Sequence, residues 1–203
     1  MSRPLAVGVL ASGRGSNLQA LLDAGARPGY PARVVIVIAD REEAPALARA
    51  AAAGVTAVFL NPKDYGDRPA YDAALSARLQ AAGVELVCLA GFMRILGPAF
   101  VRAWRGRVMN IHPALLPAFP GLHAQRQALD YGVKITGATV HFVDEGVDTG
   151  PIILQAAVPV EPDDTEETLS ARILAEEHRL YPEAVRLYAE GRLALEGRRV
   201  RVR

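Results

Sequence analysis

Asn110-Ile111-His112-Pro113 sets a carboxamide and an imidazole two residues apart, at the end of a short apolar run. In an extended segment residues two apart share a face, so both side chains can meet one ligand. Asn can donate a hydrogen bond to an oxygen that becomes negative, and His can carry a proton. A carboxylate that orients the imidazole or raises its pKa would complete such a set. Asp148 is the candidate, in the glycine-flanked turn Asp144-Glu145-Gly146-Val147-Asp148-Thr149-Gly150, where glycine lets backbone approach a ligand. Plainer readings exist: Asn-x-His as a strand-end cap, and Asp144 and Asp148 as turn residues. His141 falls in mid-strand and reads as a satisfied core histidine. A metal site would need three or more of these groups to converge, and none is expected. There is no Gly-x-Ser-x-Gly elbow, and Cys88 sits in an apolar run, so nucleophilic hydrolysis has no support.

A second constellation is Gly13-Arg14-Gly15-Ser16-Asn17-Leu18, after an apolar run and before helical spacing. A helix N-terminus presents backbone N–H groups to an anion, so this loop is suited to a phosphate. A dinucleotide fingerprint wants a third glycine where Leu18 stands, although Asp40 is placed as a ribose-binding acid would be. A nucleotide P-loop ends in Gly-Lys-Ser/Thr, and no lysine is here, so ATP binding is not expected. The bland alternative is a tight turn with Ser16 and Asn17 as N-cap residues.

The elements that must carry these residues alternate. Apolar or β-branched runs at Leu5–Leu10, Val34–Ile38, Thr56–Leu60, Leu86–Ala90 and Val108–Ile111 read as strands. Helical patterns at Asn17–Ala24, Ala44–Ala53 and Pro69–Ala82 lie between them, the last two closed by Gly54 and Gly83. That alternation predicts a parallel sheet with helices on both faces. After the proline-rich loop 112–121 the character changes. Thr136–Val143 and Pro151–Val160 read as a possible antiparallel pair, and Thr168–Glu190 as a long helix bent or broken near Pro182. Leu193–Val202 could form an edge strand or hairpin. The expected fold class is α/β: a Rossmann-like, mostly parallel sheet with helices on both faces, its C-terminal lobe adding an antiparallel strand and a long helix. A single domain, 1–203, is expected, with lobes of about 1–105 and 106–203.

Composition narrows the partners. The chain has 203 residues, 51% hydrophobic and 22% charged, ordinary for a globular protein. A net charge of +1 supplies no general field toward nucleic acid or an anionic membrane. The arginine-rich end, Arg198–Arg203, reads as a solvated edge. One cysteine excludes an intrachain disulfide and a cysteine metal cluster. No run approaches the roughly 18 apolar residues of a membrane span. Met1-Ser2-Arg3 before Leu5–Ala11 faintly imitates a signal peptide, but a first buried strand is the better reading, and a cytoplasmic location follows. Small-molecule substrates are expected, with no nucleic acid, no membrane, and a monomer or homodimer.

With these residues in view, the chain resembles the folate-dependent glycinamide ribonucleotide formyltransferases of purine synthesis. The resemblance rests on Ser12–Ala20, Ala90–Leu96, Asn110–Pro117, Pro120–His123, Gly137–Val143, Asp148–Pro151 and Glu177-His178, and runs from about residue 5 to 195. It implies that Gly15, Ser16 and Asn17 hold the substrate phosphate. Glu177 would reach the substrate's glycinamide end or ribose. Arg68, Met93, Arg94, Ile95 and Leu96 would border the folate, as would Asn110 and the loop Val143, Asp144, Glu145, Gly146, Val147 and Asp148. Asn110, His112 and Asp148 would carry the chemistry. The cosubstrate would be N10-formyltetrahydrofolate, with neither metal nor ATP. Asp148 would keep His112 charged at neutral pH. Three positions depart from the family pattern: Asp40 follows Ala39 where Ser-Asn is more frequent, Gln125 replaces a second His of some members, and Ala114 a frequent Ser. Related formyltransferases acting on methionyl-tRNA or sugar amines, the formyltetrahydrofolate deformylases, and a noncatalytic nucleotide-binding module are the competing readings. The first two differ in length, charge or phosphate loop.

Overall fold

The computed structural model describes residues 3–203; the opening Met1-Ser2 of the signal-like segment lies outside them. The chain divides into two compact units, 1–109 and 110–203.

In the first unit β1 (Leu5–Ala11), β2 (Ala32–Ala39), β3 (Thr56–Phe59) and β4 (Leu86–Leu89) are parallel, in the order β3-β2-β1-β4. Six of the seven residues of β1 and all four of β4 are buried. A strand covered on both faces needs apolar residues at every position rather than at alternate ones, and that is how these runs read. Helices α1 (Ser16–Gly25), α2 (Pro45–Ala52) and α3 (Arg68–Ala81) connect the strands, and α4 (Pro98–Ala103) follows β4. α2, α3 and α4 all carry Pro in the first turn, where its missing N–H costs nothing. α4 had no clear sequence pattern, being a helix of only 6 residues. β5 (Val108–His112) crosses the division between the units.

In the second unit β6 (Ile135–Phe142) and β7 (Ile152–Pro159) are antiparallel, paired from Ile135↔Pro159 to His141↔Ile152. α5 (Ala124–Tyr131) precedes them and was not foreseen. The C-terminal segment is a hairpin, β8 (Leu193–Glu196) with β9 (Arg199–Val202), and β9 joins β7 in parallel at Ile152↔Arg199. The fold class is the expected one: α/β, a mostly parallel sheet, with the antiparallel pair and long helix in the C-terminal part.

The long helix is not broken at Pro182, and it begins earlier than expected. α6 (Glu166–Ala189) is uninterrupted over 24 residues, with Pro182 inside it. A proline there costs about 3 kcal/mol. Seven apolar side chains of the helix, from Leu169 to Leu187, are buried, at roughly 1.5–3 kcal/mol for each large one, and that burial outweighs the lost bond. The helix also begins before Thr168. Thr165 accepts from the Thr168 N–H at 3.2 Å while Thr168 Oγ1 accepts from the Thr165 N–H at 2.9 Å, a reciprocal cap that makes Thr168 the third helical residue rather than the first.

Candidate functional site

The phosphate-loop candidate lies between β1 and α1. Gly15, not Ser16 or Asn17, takes the N-cap position, at φ 73°, and no side chain caps the helix. This corrects the N-cap reading: the two residues are helical, and their side chains are not spent on the cap. Gly15 is required twice over. Its left-handed backbone disfavours a side chain, and a Cβ there would stand 2.9 Å from both Cα and Cβ of Ala46. The loop is held from α2 as well. The Ala46 N–H donates to the Gly13 carbonyl at 3.2 Å. Arg49 Nε donates to the Arg14 carbonyl at 2.8 Å, and its Nη1 to Gln19 Oε1 at 3.1 Å. A loop fixed this way keeps its backbone N–H groups aimed without help from a ligand. Asp40 follows β2, and its Oδ1 is buried without a partner.

The segment Met93–Leu96, also in the first unit, is tied at both ends. Ser12 Oγ accepts from the Met93 N–H at 2.9 Å, and Asp72 Oδ2 accepts from the Gly97 N–H at 2.7 Å. Between the ties Met93 and Ile95 are 58% and 60% exposed, while Leu96 is buried. Arg94 lays its guanidinium over the Tyr71 ring, 5.1 Å from the centroid. Burial pushes the Asp72 carboxyl above its ordinary pKa, against the pull of the Gly97 N–H and of Arg68. Arg68 opens α3 behind the N-cap Asp67. Two exposed apolar side chains on an anchored strand end suit a flat, apolar ring.

The second unit brings together Asn110, His112 and Asp148, the three residues proposed for chemistry. Asn110 and His112 are on β5, with His112 buried. Asp148 ends a loop that starts after β6, and its φ is 53°, a conformation that Asp and Asn tolerate better than most residues. The loop braces itself: Asp144 Oδ1 accepts from the Gly146 N–H at 3.1 Å and from Thr149 Oγ1 at 2.6 Å. A Cβ on Gly150 would overlap the Phe142 carbonyl oxygen, so the loop closes only through glycine. Asp148 Oδ2 lies 3.4 Å from His112 Nδ1 and accepts from the Gly121 N–H at 2.8 Å. Asp148 Oδ1 accepts from Asn110 Nδ2 at 3.3 Å. His112 Nε2 donates to the Phe119 carbonyl at 2.8 Å.

The electrostatics revise one expectation. Burial pushes the His112 pKa below its ordinary 6.5; Asp148 and the Phe119 carbonyl pull it up, His141 pushes it down, and the balance stays low. Burial thus works against the positive charge that Asp148 was expected to hold on His112. Burial opposes ionisation of Asp148, but His141, the Gly121 N–H and His112 together bring its pKa below 3.8. The ring's Nε2 thus faces a carbonyl and its Nδ1 an ionised carboxylate, both of them acceptors.

Three participants escaped the sequence reading. His141 was taken for a core histidine. It is buried, and its Nδ1 bonds the Phe142 carbonyl at 2.8 Å, but its Nε2 is 3.2 Å from Asn110 Nδ2 and 3.6 Å from Asp148 Oδ1. Its position just before the Asp148 loop was the available signal. The Phe119 carbonyl and Gly121 N–H are backbone groups, invisible to a side-chain pattern. Thr139 and Gln155 shape the loop after His112: Thr139 Oγ1 donates to the Ala114 carbonyl at 2.7 Å and accepts from the Leu116 N–H at 3.1 Å and Gln155 Nε2 at 2.9 Å. Glu177 is buried on α6. Among the described residues no three of His, Cys, Asp and Glu stand where they could hold a metal ion, and no helix is long and apolar enough to cross a membrane.

Residues 5–185 match the formyl transferase family. The chain is 51% identical to phosphoribosylglycinamide formyltransferase of Mycobacterium tuberculosis, covering 99% of this chain and 95% of that protein. It is 54% identical to the trifunctional purine biosynthetic protein adenosine-3 of Drosophila melanogaster over 91% of this chain, and it spans only 14% of that longer protein. Among solved structures, glycinamide ribonucleotide transformylase 1 from Symbiobacterium toebii is 60% identical, with a TM-score of 0.97 over 100% of this chain and 95% of that one.

Proposed function

The chain belongs to the formyl transferase family, and from that premise we propose that it transfers the formyl group of N10-formyltetrahydrofolate to the amine of glycinamide ribonucleotide, in purine biosynthesis. The observation that carries this reading is the Asn110–His112–Asp148 cluster, with Asp148 in a left-handed conformation that places its carboxylate on both partners. Backbone held in a sparsely populated region at a site of chemistry is a mark of function rather than of folding alone.

The folate supplies an already activated formyl group, so the reaction calls for neither ATP nor metal. Gly15, Ser16 and Asn17 bind the ribonucleotide phosphate at the start of α1, and Glu177 binds its glycinamide end or ribose. Arg68, Met93–Leu96 and the loop 143–148 hold the folate. When the amine attacks the formyl carbon, the carbonyl oxygen gains negative charge. His112 Nε2 donates to it in place of the Phe119 carbonyl, and Asn110 Nδ2 donates in place of its long bond to Asp148. A well-placed donor of this kind contributes roughly 2.7–4 kcal/mol. Asp148, ionised at neutral pH, takes the proton released by the amine through a water and directs it to the folate N10, which leaves as its bond to the formyl carbon breaks. Both units belong to one catalytic domain that acts on small molecules in the cytoplasm, as a monomer or homodimer.

The test is formyl transfer by the purified protein from 10-formyl-5,8-dideazafolate, followed by the absorbance of the deformylated product, with a chelator present and no ATP. Product that forms only with glycinamide ribonucleotide supports the proposal. Product formed without it indicates a deformylase, and ribonucleotide binding without product indicates a binding module; either result refutes the proposal.

A further inference from the structure

His141 is a buried histidine to which the chemistry above gives no step, yet its ring is fixed on both sides. Nδ1 lies 2.8 Å from the Phe142 carbonyl oxygen. A carbonyl only accepts, so Nδ1 carries the hydrogen, and in the neutral ring Nε2 keeps its lone pair. That lone pair lies 3.2 Å from Asn110 Nδ2, and the same Nδ2 is 3.3 Å from Asp148 Oδ1. The two hydrogens of one amide group thus meet two acceptors. Were the carboxamide turned over, its Oδ1 would face a lone pair and a carboxylate together, with no hydrogen between them.

The site is dry enough for this to matter. His141 and Asp148 side chains are 3% and 13% exposed, and an unsatisfied polar group costs most where water cannot replace the partner. Asp148 alone leaves the carboxamide one acceptor at a long distance. His141 adds a second, on a ring whose own orientation is locked by backbone.

We propose that His141 is a positioning residue for the transfer: its Nδ1-protonated ring selects the orientation of the Asn110 carboxamide and so keeps the Nδ2 hydrogens on the Asp148 side, where the oxyanion is met. The proposal rests on the function proposed above. His141 itself touches no reacting atom; it acts through Asn110.

Two measurements test it. In the wild-type chain at about pH 8, long-range 1H–15N correlation of the imidazoles should show His141 with hydrogen on Nδ1 and none on Nε2. Hydrogen on Nε2 overturns the proposal, and this result needs neither a variant nor activity. The second is a double-mutant cycle with Asn110→Ala. His141→Leu in the wild-type background should lower kcat by about 10²-fold, the cost of a misplaced group, with the KM for ribonucleotide held within about twofold. In the Asn110→Ala background the same change should cost less than about threefold, because the group it positions is gone. Losses that multiply show that His141 does not act through Asn110, and an unchanged kcat shows that it does not position anything; each overturns the proposal. If His141→Leu does not fold, His141→Gln replaces it in the cycle under the same criteria. Absence of formyl transfer by the wild-type chain overturns the function proposed above instead, and the tautomer then decides this proposal alone.

Discussion

Asp148→Asn isolates the carboxylate charge from the geometry that holds it. Asn tolerates the left-handed backbone at this position (φ 53°) and keeps an oxygen to accept from the Gly121 N–H, so the loop should stand. What is lost is the charge 3.4 Å from His112 Nδ1. At an effective dielectric of about 20, a full unit charge at that distance interacts by roughly 5 kcal/mol. Burial of the ring opposes its charge, so about half of that figure is counted, roughly 2.5 kcal/mol, which corresponds to nearly 10²-fold in rate. Removal of the proton acceptor adds a further factor, general base catalysis being worth about 10²–10⁴. The expected kcat is therefore lower by at least about 10²-fold, while ribonucleotide binding, assigned to the Gly15 loop, stays within about twofold. Steady-state kinetics with the dideaza donor and ribonucleotide titration measure both. Turnover within about threefold of wild type would show that the charge at Asp148 does not act on the transition state, and the assignment would fall.

Gly15→Ala should raise the KM for ribonucleotide more than the KM for folate, since φ 73° and Ala46 at 2.9 Å leave the Cβ no room; the left-handed backbone alone costs about 1–2 kcal/mol. Equal KM values for wild type and variant would disprove the loop's role. Thr139→Val should destabilise the chain by about 1–3 kcal/mol in urea unfolding, because the Leu116 N–H and Ala114 carbonyl lose their buried partner, whereas Thr139→Ser keeps the hydroxyl and should cost less. The pH dependence of stability follows from two groups. The folded pKa of His112 is lowered, so the unfolded chain binds its proton more tightly. Stability from this source is complete above the unfolded pKa of about 6.5 and declines as pH falls below it. Asp148, also lowered, adds stability that is present above about pH 3.8 and lost as pH falls further. Thermal unfolding from pH 8 to 4 should show a plateau that bends down below about 6.5, and His112→Asn should flatten that bend. A wild-type midpoint that rises as pH falls through this window would contradict the direction assigned to His112.

Much of this molecule was legible as a string because its informative features are local. The period of apolar residues follows backbone geometry, so the unbroken run Val34–Ile38 announced a parallel strand, and Thr136–Val143 with Pro151–Val160 pointed to an antiparallel pair. The parity of a strand put Asn110 and His112 on one face. Short elements were lost: α4 and α5, of 6 and 8 residues, are too brief for a helical period to declare itself. Pro182 misled because its local cost is visible in sequence and the packing of α6 that overrides it is not.

The residue types that could do chemistry, their spacing, and the family they resemble were all determined by the sequence alone. Which atoms meet was decided only by tertiary structure. Asp148 is 36 residues beyond His112 in the chain and reaches it through a left-handed turn. His141 changed from core filler to a partner of Asn110 because two strands of the second unit bring their side chains together. The charge of His112 also waited on the fold. In sequence only a nearby carboxylate could be weighed, and that argues for a raised pKa. Desolvation depends on everything packed around the ring, and here it is the larger effect.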